Sequence, residues 1–128
     1  MASPMLIDAD VMIDFLRGDP QAAALLAANS DRIILSSIVV AELYAGVRGD
    51  TELQTLDSLI SLFKIAPVSA DLARQGGLYK NKYAKSHGVG LADAIVAATA
   101  EAEHAELKTL NTKHYPMLKG LKPPYRKA

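Results

Sequence analysis

Four short stretches rich in apolar residues punctuate the sequence: Met5-Leu6-Ile7, Ile33-Ile34-Leu35, Ile65-Ala66-Pro67-Val68 and Leu107 to Leu110. Between them apolar residues recur at helical spacing. Runs of three or four are too short for helices, and most lack the polar alternation of a strand with one wet face, so they read as strands buried on both sides. Strands separated by helices are joined by crossovers rather than hairpins, and crossovers build a parallel sheet. The expected architecture is α/β: a three-layer sandwich with helices on both faces of a central, mostly parallel sheet. At 128 residues the chain suits one domain spanning 1–128.

The punctuation places the helices. Asp10 is the expected cap for a helix over Val11 to Arg17, and Gly18-Asp19-Pro20 stops it and starts another over Gln21 to Ala28. Ser36 or Ser37 can cap a helix running through Val47. Gly49-Asp50-Thr51 then breaks the chain before Leu53 to Phe63, where Leu53, Leu56, Leu59, Ile60 and Phe63 share a face. Pro67 shortens the third strand and places it at or near an edge. Ser69 caps a helix from Ala70 toward Ala84, with Gly76-Gly77 as its weak point. From Leu91 to Glu103 the small face of Ala94, Ala97, Ala98 and Ala100 implies close packing, and Gly120 to Tyr125 reads as extended.

There is no cysteine, which excludes disulfides, thiolate metal sites and a cysteine nucleophile. No apolar run is long enough to span a membrane, and Met1-Ala2-Ser3-Pro4 lacks the basic start and apolar stretch of a secretory signal, so the cytoplasm is the expected location. The formal net charge of zero is unevenly distributed. Residues 1–64 carry nine acids and four bases, whereas residues 65–128 carry five acids and ten bases. From Leu107 onward there are six bases (Lys108, Lys113, Lys119, Lys122, Arg126, Lys127) and no acid. That pattern suits an acidic site for a cation beside a basic surface for a polyanion.

Three carboxylates resist a purely structural explanation. Glu42 has Ile38, Val39, Ala45 and Gly46 on its own helical face, and the other faces are apolar too. Asp93 has Val89, Gly90, Val96 and Ala97, although an acid in a first helical turn is also favoured by the free amides there. Asp8 directly follows the first strand, and in an open parallel sheet ligands bind beyond the strands' carboxyl ends. Asp14 can be satisfied by Arg17 three positions on. If Asp8, Glu42 and Asp93 converge, repulsion drives at least one toward protonation unless a cation joins them. Oxygen ligands without Cys or paired His select Mg²⁺ or Mn²⁺ over zinc, and such an ion suits phosphodiester hydrolysis. His114, in Thr112-Lys113-His114-Tyr115, is a candidate substrate contact.

The segments Leu6 to Gly18, Ser37 to Gly46, Leu91 to Ala100 and Thr109 to Tyr115 together resemble, in order, the four motifs of PIN-domain nucleases, and most closely the VapC-type ribonuclease toxins of toxin–antitoxin pairs. The resemblance runs from about Leu6 to Leu121. It implies a Rossmann-like sandwich and a Mg²⁺- or Mn²⁺-dependent endoribonuclease with Asp8, Glu42 and Asp93 at the acidic metal positions. Ser37 and Thr109 fall on hydroxyl positions that support the acids or bound water. Asn111 and His114 stand where the family commonly presents a further acid, so one metal ion rather than two is expected in the free protein. The resemblance further implies an RNA substrate, a homodimer, and a cognate antitoxin whose C-terminal segment lies over the active site. Lys80, Lys82, Lys85, Arg48 and the C-terminal bases are candidates to steer RNA, and the helix face around Leu53 to Phe63 is a candidate dimer surface.

Two other readings remain open from sequence. Asp8-Ala9-Asp10-Val11 after a strand also resembles the nucleophile motif of haloacid-dehalogenase-type phosphatases, with Asp8 phosphorylated and Asp10 as general acid. That chemistry needs a later acidic pair, and none follows Glu42 with suitable spacing. A PIN-like module that binds RNA without cleaving it is the other alternative, encouraged by Asn111.

Overall fold

In the centre of the molecule Met5–Ile7 (β1) and Ile33–Ser36 (β2) are buried along their full length. The chain is described here from a computed structural model covering residues 3–126; Met1 and Ala2 of the N-terminal stretch and Lys127 of the basic tail lie outside the described residues. Lys64–Ala66 (β3) and Glu106–Lys108 (β4) complete a four-stranded sheet in the order β3-β2-β1-β4. Every pairing is parallel, with Leu6 opposite both Ile34 and Leu107. Each edge strand exposes its first residue, Lys64 or Glu106, as edges do when one side lacks a partner. Pro67 ends β3 at an edge, as expected, but the strand stops at Ala66, ahead of the proline.

The helices are Ala9–Leu16 (α1), Pro20–Ala28 (α2), Ser37–Ala45 (α3), Gly49–Ile60 (α4), Ala70–His87 (α5) and Leu91–Ala102 (α6). A 3₁₀ turn at Thr112–His114 follows β4. Asp19 caps α2 by accepting from the amides of Gln21 and Ala22 at 2.8 and 3.0 Å. Ser36, not Ser37, caps α3, and Ser69 caps α5. Helix α4 starts earlier than its apolar spacing indicates, because Gly49 takes a left-handed φ of +79° and Glu52 reaches back to the amide of Arg48. The cap of α1 corrects an expectation. Asp8 holds that position, with its carboxylate on the amide of Ala9, and Asp10 lies inside the first turn. Asp14 is buried and accepts from the hydroxyl of Tyr125, which fastens the extended C-terminal segment to α1.

Gly76-Gly77 does not interrupt α5. Gly76 instead lets α5 approach α6: a Cβ there would stand 2.7 Å from Cγ1 of Ile95 and 3.1 Å from its Cα. The small residues Ala94, Ala97, Ala98 and Ala100 of α6 are buried, so contact between these helices is set by absent side chains rather than by large ones.

The strand order has a functional consequence. From β1 the chain moves through β2 to β3 on one side, then returns to place β4 on the other. The reversal opens a crevice beyond the carboxyl ends of β1 and β4, where open α/β sheets bind ligands.

The two adjacent glycines of α5 should respond oppositely to alanine. Gly76→Ala should destabilise by roughly 1–2 kcal/mol, since the methyl must displace Ile95. Gly77→Ala meets nothing within 4 Å and should stabilise by about 0.5–1 kcal/mol through helix propensity. Urea unfolding midpoints of the two variants check this, and changes of the same sign would refute the packing argument.

Candidate active site

At the exit of β1, Asp8 is 6% exposed. One of its oxygens caps α1 through the amide of Ala9 at 2.8 Å, and the other accepts from the hydroxyl of Tyr115 at 2.6 Å. The same hydroxyl lies 3.3 Å from Oδ1 of Asp93, which sits in the first turn of α6. Oδ2 of Asp93 is 3.3 Å from Nδ1 of His114 in the 3₁₀ turn. Tyr115 therefore brings the first strand and the sixth helix to one point.

Asp10 binds a third element. Its Oδ2 accepts from the amide of Leu110 at 2.9 Å and from Oγ1 of Thr109 at 3.3 Å, and its Oδ1 accepts from the amide of Val11. Thr109, fully buried, also accepts from the amide of Asn111. The exit of β4 is thus pinned to α1 across the crevice. Glu42, on α3, stands at the rim, where it lines an open cleft of about 700 Å³ between α1, α3 and α4. Arg17 and Arg48 border the same cleft.

The electrostatics follow from this crowding. Burial, followed by the charge of Asp8, raises the carboxyl of Asp10 above its ordinary value, with the donors from Leu110, Val11 and Thr109 opposing. Partial desolvation and then the charges of Asp8, Asp93 and Asp10 raise Glu42. Desolvation and then Asp8 raise Asp93, while His114 and Tyr115 pull it down. Burial, and then Asp8, push the hydroxyl of Tyr115 far above the usual tyrosine range, so it stays a neutral donor. Four acids share one field, and three of them bind protons more tightly than usual.

Of the residues singled out from sequence, Asp8, Asp93 and His114 are joined through contacts with one another or with Tyr115, and Glu42 joins them through charge. Thr109 supports an acid, and that acid is Asp10. Ser37 accepts from the amide of Val68, so its hydroxyl fastens the exit of β3 to α3. Asn111 is exposed at the start of the 3₁₀ turn. Sequence reasoning gave Asp10 a capping role, or a general acid's role in the phosphatase reading, and no role at all to Tyr115. The Asp8-x-Asp10 spacing carried a signal for the first; a single tyrosine beside a histidine carried none for the second.

Among the described residues no three Asp, Glu or His side chains stand in a geometry that would hold one ion between them. The donor chemistry nonetheless fits a hard divalent cation. All donors are oxygens, and beyond the burial that chiefly raises Glu42 and Asp93, the repulsion from neighbouring acids that adds to it is what a cation relieves.

Raised carboxyl values mean that folding takes up protons, so this cluster costs stability as pH rises from the ordinary carboxylate range through the raised values. Glu42→Gln should therefore stabilise the metal-free protein at neutral pH. The gain should be at most about 1 kcal/mol, because water screens an exposed carboxylate, and it should shrink toward about pH 4, where the carboxylate protonates in both states. Thermal melts at the two pH values test this; a loss of stability at neutral pH would show that Glu42 makes a net favourable contact.

Residues 5–116 match the model of the PIN domain family. The chain is 43% identical over 124 residues to "Ribonuclease VapC19" of Mycobacterium tuberculosis, covering 94% of this chain and 98% of that protein. It is 38% identical to "Ribonuclease VapC10" of the same organism, covering 94% of this chain and 92% of the relative. Among solved structures, a toxin–antitoxin complex from Klebsiella pneumoniae holds a chain that superposes with a TM-score of 0.82 at 28% identity, covering 96% of this chain and 99% of the other. With the ordered motifs, the parallel sheet and the acids at its switch point, these likenesses establish that the chain belongs to the PIN domain family and is of the VapC type.

Proposed function

We propose that this protein is a Mg²⁺- or Mn²⁺-dependent endoribonuclease acting as the toxin of a toxin–antitoxin pair. The observation that carries the reading is the convergence of Asp8 and Asp93 on one buried hydroxyl, with Glu42 in the same field, in a chain 43% identical to a protein named as a ribonuclease. The match to the PIN domain leaves the phosphatase reading without support.

Asp8, Glu42 and Asp93 would hold the cation. Bound there, a divalent ion supplies Lewis acidity toward a phosphate oxygen and toward water. The chain's own groups do the rest. The α1 cap and Tyr115 orient Asp8, and Tyr115 and His114 orient Asp93. Asp10 and Thr109 fix the exit of β4, and with it the turn that carries the exposed Asn111 and brings His114 to Asp93. Lys113 and the bases of the C-terminal segment provide attraction for the phosphates that the acids would otherwise repel.

The partner in this reading is a small antitoxin whose C-terminal segment covers the site, and the protein itself is a homodimer. The cleft beside Glu42 suits such a segment: Ile13 and Leu16 are 37% and 40% exposed at its edge, and Glu42 offers a charge to a basic side chain. Among the described residues Leu62, at 77% exposure just past α4, is the most open large apolar residue, and it suits a protein contact on that side.

Protein freed of any antitoxin should cleave structured RNA with Mg²⁺ or Mn²⁺ and stop with chelator. Asp8→Asn and Asp93→Asn should still bind RNA while cleavage falls on the order of 100-fold or more, at least the loss seen when a ligand's support is removed. Undiminished cleavage by Asp93→Asn would reject the site assignment, and phosphomonoester hydrolysis without RNA cleavage would reject the function. Calorimetry with Mn²⁺ should find one tight site in the free protein; two would overturn single-ion occupancy.

A further inference from the structure

The hydroxyl of Tyr115 holds a place that neither the PIN resemblance nor the charge pattern requires. Its ring is 1% exposed and enclosed by the core, and the backbone around it is fixed: its amide donates to Thr112, and its carbonyl accepts from Leu118. The oxygen is 2.6 Å from Asp8 Oδ2 and 3.3 Å from Asp93 Oδ1. The remaining oxygen of each acid is also engaged, Asp8 Oδ1 by the amide of Ala9 and Asp93 Oδ2 by His114.

Two carboxylates on different elements repel and would turn apart into water if nothing held them. One neutral donor at a fixed point opposes that, because each acid gains more from facing it than from facing solvent. A hydroxyl has one proton, so the bonds are unequal, and the short one goes to Asp8. A tyrosine buried this deeply is out of reach of a substrate, which leaves it the work of placing other groups.

We propose that Tyr115 is a positioning residue that keeps Asp8 and Asp93 gathered in the metal-free protein, so that a divalent cation meets a pair of ligands already in place. The inference rests on the reading that these acids hold such a cation, and it adds that affinity for the ion depends on a hydroxyl that does not itself need to touch it.

Tyr115→Phe retains the ring and removes the hydroxyl. Tyr125→Phe is the matched control, since it removes a tyrosine–carboxylate bond of 2.8 Å to Asp14 at the far end of α1's first two turns. Mn²⁺ affinity is measured by calorimetry on metal-free protein, and the Mn²⁺ dependence of RNA cleavage is measured alongside. Tyr115→Phe should weaken Mn²⁺ binding about 10- to 100-fold, the range for lost support of metal ligands, and saturating Mn²⁺ should restore most of kcat. Tyr125→Phe should leave Mn²⁺ affinity unaltered. A purely structural role would lower stability without this split between metal affinity and kcat. Equal or tighter Mn²⁺ binding by Tyr115→Phe overturns the inference alone, whereas failure of the unaltered protein to bind Mn²⁺, with or without RNA, overturns the metal reading and the inference with it. Should Tyr115→Phe not fold, the hydroxyl proton of Tyr115 can be followed by NMR in the unaltered protein. It should shift on Mg²⁺ titration, and an unmoved resonance would overturn the proposal.

Discussion

Repulsion among carboxylates gathered at one end of a parallel sheet is the constraint that organises this molecule. The sheet makes the gathering unavoidable, since parallel strands deliver every exit to the same edge and the order β3-β2-β1-β4 leaves a crevice beside β1. Asp8, Asp10 and Asp93 are held there by donors from three segments of the chain. The start of α1 supplies the amides of Ala9 and Val11, the exit of β4 supplies Leu110 and Thr109, and the turn beyond it supplies His114 and Tyr115. Among the described residues no buried side-chain nitrogen or oxygen lacks a hydrogen-bond partner, so the buried acids are hydrogen-bonded while short of positive charge. Hydrogen bonds fix positions; they do not cancel charge. Burial first, and then the neighbouring charges left uncancelled, raise the carboxyls of Asp10, Glu42 and Asp93.

How much of this was legible in the sequence depends on the range of the interaction. Caps and strand runs are local, and Asp19, Ser69 and the apolar triplets announced their elements directly. Glu42 and Asp93 stood out because their neighbours offered no polar surroundings, and Asp8 because it directly follows the first strand, tests that need only a few residues on either side. Tyr115 meets Asp8 across 107 positions, and Asp10 meets Leu110 across 100, distances over which spacing carries no information. Asp10 misled for a further reason. An aspartate just ahead of a helical run is a good capping candidate on propensity alone, and a contact two residues earlier, between Asp8 and Ala9, took that role.

Gly76-Gly77 shows the same division. Propensity marks the pair as a weak point, and an isolated helix would agree. Packed against α6, Gly76 leaves no room for a side chain beside Ile95, so the residue that weakens α5 in isolation is the one that lets it dock. The alanine face of α6 foretold close packing but could not say which helix would come near. That pairing matters for function, because α6 carries Asp93 in its first turn, and α5 is the helix whose contact fixes how α6 lies.

The uneven charge acquires a geometric meaning in the same frame. The segment from β4 through the 3₁₀ turn supplies Thr109, His114 and Tyr115 to the acids, and it also carries Lys108 and Lys113. One stretch of chain therefore steadies the acidic cluster and begins the basic surface. In the proposed function these two charges work in opposition until a cation binds. The bare acids repel a phosphate that the lysines attract, and a divalent ion on the acids reverses the first term while leaving the second. Cation and RNA must then favour each other's binding, since each lowers the electrostatic cost of the other, and by linkage the coupling is equal in both directions. A site whose acids are pre-gathered but undercharged by hydrogen bonding alone is suited to such coupling, because it gives up little in reorganisation and keeps its full electrostatic demand for the ion.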